Sequence, residues 1–344
     1  MKAKSLSIDF YNLGFKFIET RMMFVSDYKN GKWESGKLVP FGPLELSPAA
    51  CALNYGQTIF EGLKALRAVN GDITLFRPDE NAKRLNKSAE RLLMPEYDVN
   101  KFIEAVKKVV KANEEFIPPY DSGGSLYIRP LLIGSGPMLG VAPAEEYKFI
   151  IFVSPVGPYF SEGFKAIDIE ISKKYTRASQ GGTGFAKMGG NYAGTMKPAK
   201  EAKEKGFAQI LYLDSVHFEY INEVGAANFC ALINGKLTTP KFIGTILEGI
   251  TVKSVLELAE RKLGIEVEQR NISYKELFKD TCTEVFCAGT AAVITPIGSI
   301  TMDDKTRMFN NHEPGELTIK LYELLTGIQR LEIEDEFGWV VKLK

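Results

Sequence analysis

Between residues 77 and 95, in RPDENAKRLNKSAERLLMP, apolar side chains return at Ala82, Leu85, Ala89 and Leu92, and the positions between are mostly charged or polar. That spacing of three and four predicts a helix with one buried stripe. Asp79 is its expected cap and Pro95 its expected stop. Residues 100–114 repeat the pattern and predict a second amphipathic helix. On either side of this pair the period changes. SLYIRPLLIGSG (125–136) and YKFIIFVSPVG (147–157) are rich in β-branched and aromatic residues, which predicts strands. TIFEGLKALRAV (58–69) runs into GDITLF through Asn70-Gly71, a strong hairpin signal.

Residues 1–50 are turn-rich with short strand-like pieces. VGPYFSEGF, with its Gly, Pro and Ser, predicts an interdomain linker, placed at 158–166. Beyond it come the strand IDIEIS (167–172), a glycine-dense stretch, a helix through MKPAKEAKEKG (196–206) and the buried strand AQILYLD. FCALINGKLTT predicts a hairpin over Asn234-Gly235. Thr251 to Leu263 predicts a helix capped by Thr251 and ended by Gly264. Ser273 and Glu276 form a capping box that opens another helix. TEVFCAGTAAVITPIGSI (283–300) predicts two strands broken at Gly289-Thr290. Helices and strands mix without a strict βαβ rhythm, so the fold class is α+β. The expected division is a smaller α/β domain over 1–157 and a larger one over 167–344.

Composition removes several classes of function. Lys and Arg number 43, as do Asp and Glu, which argues against nucleic-acid or anionic-membrane partners. No apolar run approaches the roughly 18 residues that span a bilayer. The N-terminus lacks the apolar core of a secretory signal. The four cysteines, Cys51, Cys230, Cys282 and Cys287, include no CxxC, which suggests buried free thiols in a reducing cytoplasm. Two distant histidines, His217 and His312, make a His-based metal site or a Ser-His-Asp triad a poor fit, so no metal is expected.

The candidate chemistry centres on GGTGFAKMGGNYAGTMK (181–197). The 31 glycines in 344 residues would put about one in any fourteen, yet residues 181–194 hold six. Neither nucleotide-binding glycine pattern fits, because GxxxxGK[ST] and a strand-to-helix GxGxxG are both missing. What remains is one amine, Lys187, and one phenol, Tyr192, in a permissive backbone. Pyridoxal phosphate chemistry needs a lysine for the aldehyde, a phenol for the ring oxygen and a distant carboxylate for the pyridine nitrogen. Glu223, ahead of Val-Gly-Ala-Ala, is a candidate carboxylate. Ile250 and Thr251 at a helix N-terminus, and Arg84 beside an apolar stripe, are candidate phosphate ligands. Taken singly, each is also readable as a solvated loop lysine, a turn acid, an ordinary cap or a surface arginine.

Taken together, the segments YGQTIFEGLKA, LFRPDENAKRLNKSAERL, LYIRPLLIGSG, KMGGNYAGT, YLDSVHFEYINEVGAANFCALING, ILEGITVKSVLELA and EVFCAGTAA resemble the branched-chain amino acid aminotransferases. That family belongs to the fold-type-IV pyridoxal-phosphate enzymes. The resemblance runs from about residue 40 to LTGIQRLEIEDEFGWVVKL, nearly the whole chain. It implies pyridoxal 5′-phosphate as cofactor and a cytoplasmic homodimer as the working form. It implies Lys187 as the Schiff-base lysine, Tyr192 on the ring oxygen and Glu223 on the pyridine nitrogen. Arg84, the Ile250 and Thr251 amides and Thr290 would hold the phosphate, and the turn through Ala291 the substrate α-carboxylate. Phe60, Tyr127 and Tyr159 would line an apolar side-chain pocket. Tyr55 of the partner, with Tyr127 and Arg129, would take the side-chain carboxylate of glutamate. The implied reaction exchanges the amino group of L-leucine, L-isoleucine or L-valine with 2-oxoglutarate. A D-amino acid aminotransferase or an aminodeoxychorismate lyase on the same fold is the alternative. Two departures stand out: the CxxC that some relatives carry after the GTA turn is replaced by AVIT, and a common Thr is Ala226.

Overall fold

The computed structural model describes residues 8–158 and 164–343. Two sheets carry the fold. In the first, the strands run in the order Val340–Leu343, Ile73–Phe76, Leu63–Arg67, Ser125–Gly134, Tyr147–Val156, Met22–Lys29 and Lys32–Trp33. Lys37–Pro40 pairs with Met22–Lys29, and Thr58–Phe60 with Ser125–Gly134; every pairing in this sheet is antiparallel. The helices Pro78–Arg91 and Val99–Ala112 bury Ala82, Leu85, Ala89, Phe102, Val106 and Val109 in one core with Phe149 and Ile151 of the sheet. Each fully buried aliphatic or aromatic side chain there contributes about 1.5–3 kcal/mol.

The second sheet closes on itself. Ile221–Val224, Gln209–Leu213, Ile167–Ser172, Val293–Met302, Cys282–Gly289 and Ala227–Ile233 follow in order, and the last pairs back onto the first. Ile167–Ser172 is parallel to both of its neighbours. Lys236–Pro240 and Val267–Arg270 extend the barrel on one side. Val293–Met302 is buried at nearly every position because both of its faces are covered, which erases the usual alternation. The helices Ile250–Leu263 and Glu316–Gln329 cover the outside through Val252, Val255, Leu321 and Leu325.

The two Asn-Gly hairpins form as expected, with Asn234 at φ 51° and Gly235 at φ 75°. Several local expectations fail. Asp79 does not cap its helix; Arg77, at φ 46°, precedes Pro78, and Asp79 instead pairs with Lys83. That helix stops at Arg91, and Leu93 turns the chain at φ 53° before Pro95 is reached. Thr251 lies inside its helix, behind Gly249 as the cap. The capping box at Ser273 is present but opens only a short 3₁₀ turn, Tyr274–Phe278. The strand Val340–Leu343, which follows residue 167 in the chain, completes the edge of the first sheet.

Candidate active site

Lys187 precedes a one-turn helix, Gly189–Ala193. Its backbone is fixed on both sides: its N–H donates to the Ser88 hydroxyl, and its carbonyl accepts the Phe60 N–H, each at 2.9 Å. The side chain is left free to work while the main chain stays put. Its Nζ lies 2.9 Å from the Tyr192 hydroxyl and 4.8 Å from the Phe60 ring centre. One helical turn therefore brings the amine and the phenol together.

Of the six glycines in 181–194, only Gly189 lines the surrounding cavity. A Cβ on Gly184 would stand 2.3 Å from the Thr245 carbonyl oxygen, so that glycine permits close packing of two loops. The glycine that shapes the cavity is Gly62, where a Cβ would come within 2.4 Å of the Tyr127 hydroxyl.

The cavity is about 540 Å³. Lys187 and Tyr192 share it with Phe60, Tyr127 and Arg129, and Thr290 and Ala291 also face it. Arg129 stacks over Phe60 at 4.7 Å and donates to the Tyr127 hydroxyl at 3.1 Å. Its Nε is buried without a hydrogen-bond partner among the described residues. A buried guanidinium nitrogen without an acceptor is costly. Tyr55 does not line this cavity; it is 41% exposed, and its hydroxyl donates to the Leu139 carbonyl. Tyr159 lies outside the described residues.

Two buried ion pairs flank the amine. Arg84 holds Glu61 with two hydrogen bonds, of 2.7 and 2.8 Å, and Asn81 and the Gly62 N–H complete the carboxylate's shell. Burial alone would raise the Glu61 carboxyl, but the Arg84 guanidinium more than offsets this and holds it below its usual range. The remaining Arg84 nitrogen donates to the Glu248 carbonyl at 3.2 Å. That carbonyl precedes the helix Ile250–Leu263, whose N-terminus has no side-chain cap. Arg84 thus sits beside a helix end already suited to an anion. Ile250, Thr251 and Thr290 meet around a small adjoining cavity of about 30 Å³.

Glu223 forms the second pair, 2.7 Å from Arg177, with both side chains nearly inaccessible. It also accepts from the Leu247 N–H and from Asn228 Nδ2, each at 3.3 Å. Burial pushes the Glu223 carboxyl up, and Arg177 pulls against that shift, so the guanidinium helps keep the carboxylate charged. Lys187 and Arg84 lower the same carboxyl, which places all three charges in one field. Arg177 also donates to the carbonyls of Gly184 and Thr245 and ties the glycine-dense loop to Glu223.

Sequence reasoning singled out Arg84 and Glu223 but not their partners Glu61 and Arg177. Glu61 had one local signal, an acid between Phe60 and Gly62 in an otherwise apolar strand region. Arg177 had none, because its pairing spans 46 residues of chain (223 minus 177).

Residues 58–300 match the model of the amino-transferase class IV family. The chain belongs to that family. The aminotransferase is 47% identical, over 98% of its own length and 82% of the relative's, to "branched-chain amino acid aminotransferase 2, chloroplastic" of Humulus lupulus. Its fold matches a branched-chain amino acid aminotransferase of Escherichia coli with a TM-score of 0.81 at 28% identity, covering 95% of this chain and all of that one (100%). It also matches a T.th. branched-chain amino acid aminotransferase with pyridoxamine 5′-phosphate, with a TM-score of 0.80 at 26% identity, over 95% of this chain and 100% of that chain. The α+β architecture of this aminotransferase is thus the fold-type-IV one, and the enzyme is a transaminase. None of its helices, among the described residues, is long and apolar enough to cross a membrane.

Proposed function

We propose that this aminotransferase uses pyridoxal 5′-phosphate bound at Lys187 to exchange amino groups between L-leucine, L-isoleucine or L-valine and 2-oxoglutarate. The observation that carries this reading is the pairing of Lys187 with Tyr192 in a cavity that Arg129 also lines. The residues fit the cofactor. An anion-ready helix end lies beside Arg84, a phenol lies beside the amine, and a carboxylate is buried within reach of its field.

When bound, the cofactor would supply an electron sink for charge developing at the substrate α-carbon. The chain's residues do the rest. Lys187 Nζ moves the proton at that carbon, and Tyr192 holds the amine ready at 2.9 Å. Glu223, paired with Arg177, would hold a proton on the pyridine nitrogen. Arg84, the Ile250 and Thr251 amides and Thr290 hold the phosphate. The Thr290–Ala291 turn takes the α-carboxylate. Phe60, Leu131 and Phe152 offer apolar surface to a branched side chain. Tyr127 and Arg129 take the second carboxylate of glutamate, which explains how one pocket serves both substrates.

The direct test is to incubate the protein with L-leucine and 2-oxoglutarate and measure glutamate formed, with D-leucine in parallel. Product from D-leucine alone would sink the L-branched-chain reading. Arg129→Met should raise the KM for 2-oxoglutarate about 10- to 100-fold, because a charge-assisted hydrogen bond is lost. The KM for L-leucine should move far less, and equal effects on both would remove Arg129 from the glutamate subsite.

The working form is a homodimer. Leu53, Tyr55, Leu139 and Val141 are exposed at 62%, 41%, 91% and 87%, and Tyr55 is bonded to Leu139. Apolar side chains this exposed and this close suit a second copy, which would bring Tyr55 to its neighbour's cavity. Sedimentation should give twice 38.3 kDa, and a monomer at working concentration would refute this. The four buried free thiols suit a cytoplasmic setting.

A further inference from the structure

The turn that carries Thr290 and Ala291 joins the strands Cys282–Gly289 and Val293–Met302. It ends at Val293 with φ 63°, a left-handed conformation that a β-branched residue adopts only under constraint. The neighbours must supply that constraint. One of them is Lys64, on the strand Leu63–Arg67, whose Nζ donates to the Ala291 carbonyl at 2.6 Å. Ala291 lines the Lys187 cavity and also, together with Lys64, a separate cavity of about 440 Å³. Ala291 is thus shared by these two cavities, and its carbonyl is held by a lysine from the second. In a trans peptide the carbonyl and the following N–H point in opposite directions. Fixing the Ala291 carbonyl on Lys64 therefore aims the Ala292 N–H away from Lys64.

We infer that Lys64 is a positioning residue for the substrate α-carboxylate: it fixes the strained turn whose amides receive that group and places a positive charge one peptide behind them. This rests on the assignment of the turn to the α-carboxylate under the proposed function. The charge is conditional. Burial pushes the Lys64 ammonium down to about 8, and Arg330 adds to the shift. Arg330 faces it from the end of the helix Glu316–Gln329, with its guanidinium on the Tyr120 and Gly123 carbonyls. Tyr322 lies on that helix, and Glu332, beyond it, accepts from the Tyr120 hydroxyl. Asp121 accepts from Tyr11, and Tyr127 stands opposite Lys64 on the neighbouring strand. Among the described residues no carboxylate pairs with Lys64 to hold its proton. Below about pH 8 the group is a charged donor; above it, a neutral and weaker one.

The test uses holoenzyme and 4-methylpentanoate, the leucine skeleton without its amino group, whose carboxyl stays ionised from about pH 6.5 to about pH 9.5. Calorimetric Kd values should rise about tenfold in the wild type across pH 8, as the positive charge one peptide behind the receiving amides is lost. Lys64→Met should bind about tenfold more weakly at neutral pH and show no such step. Lys64→Arg, charged throughout, should bind as the neutral-pH wild type does, again without the step. Cofactor absorbance and melting temperature check that each variant is folded, and should Lys64→Met fail that check, the Lys64→Arg profile decides. An unchanged Kd in folded Lys64→Met, or an intact step in Lys64→Arg, would overturn the inference. A wild type that neither binds 4-methylpentanoate nor transaminates L-leucine would overturn the substrate reading itself.

Discussion

Lys187→Ala should turn over no branched-chain substrate that an assay can detect, a loss of at least about 10,000-fold in kcat/KM. The protein should nevertheless fold and keep part of its cofactor. The bonds that fix residue 187 are made by its backbone, to Ser88 and Phe60, and an alanine keeps both. The charges around the helix end at Ile250 are untouched, so the proposed phosphate grip should survive. Turnover should be followed as glutamate release, and cofactor retention as visible absorbance after gel filtration. Activity within tenfold of wild type would remove Lys187 from the chemistry. Complete loss of cofactor, with the fold intact, would mean that the phosphate site is weaker than Arg84 and the helix suggest.

Glu223→Gln should cost about 100- to 1,000-fold in kcat and much less in cofactor affinity. The amide keeps the shape and can still accept from the Leu247 N–H, but it no longer holds a proton on a ring nitrogen. It also leaves the Arg177 guanidinium without its counter-charge, facing a neutral amide oxygen and the carbonyls of Gly184 and Thr245. Breaking one side of a buried pair costs about 3 kcal/mol, so the melting temperature should fall as well. Single-turnover kinetics at saturating cofactor separate the two effects. A variant that melts early but turns over normally would make Glu223 a structural residue.

Much of the local architecture is legible in the chain because it rests on chemistry between near neighbours. Asn-Gly pairs fix the two hairpins, and the stripes of residues 78–91 and 99–112 fix two helices. Expectations fail where a distant part of the molecule decides. The helix Glu316–Gln329 is not among the elements the local pattern predicts, and no residue of its own caps it. Glu284, from a barrel strand, accepts the Leu317 and Thr318 N–H groups, each at 3.0 Å. Closure of the barrel needs Ile221–Val224 to pair on both sides, which no single segment reveals. The same holds around Lys187. Its phenol lies one turn away and could be read; Glu61, Arg177 and Lys64 gain their meaning from partners far along the chain.

The strand Val340–Leu343 has a bearing on how the protein is made. Ile73–Phe76 is synthesised early, yet its outer partner arrives only after the whole barrel has been translated. Until then it presents a row of unpaired backbone groups, a template for the wrong neighbour. The nascent chain therefore passes through a stage in which a chaperone, or speed, must protect that edge. Shortening the chain before residue 340, or burying this strand under a fusion partner, would prolong that stage indefinitely. The damage would surface as poor yield rather than as altered catalysis.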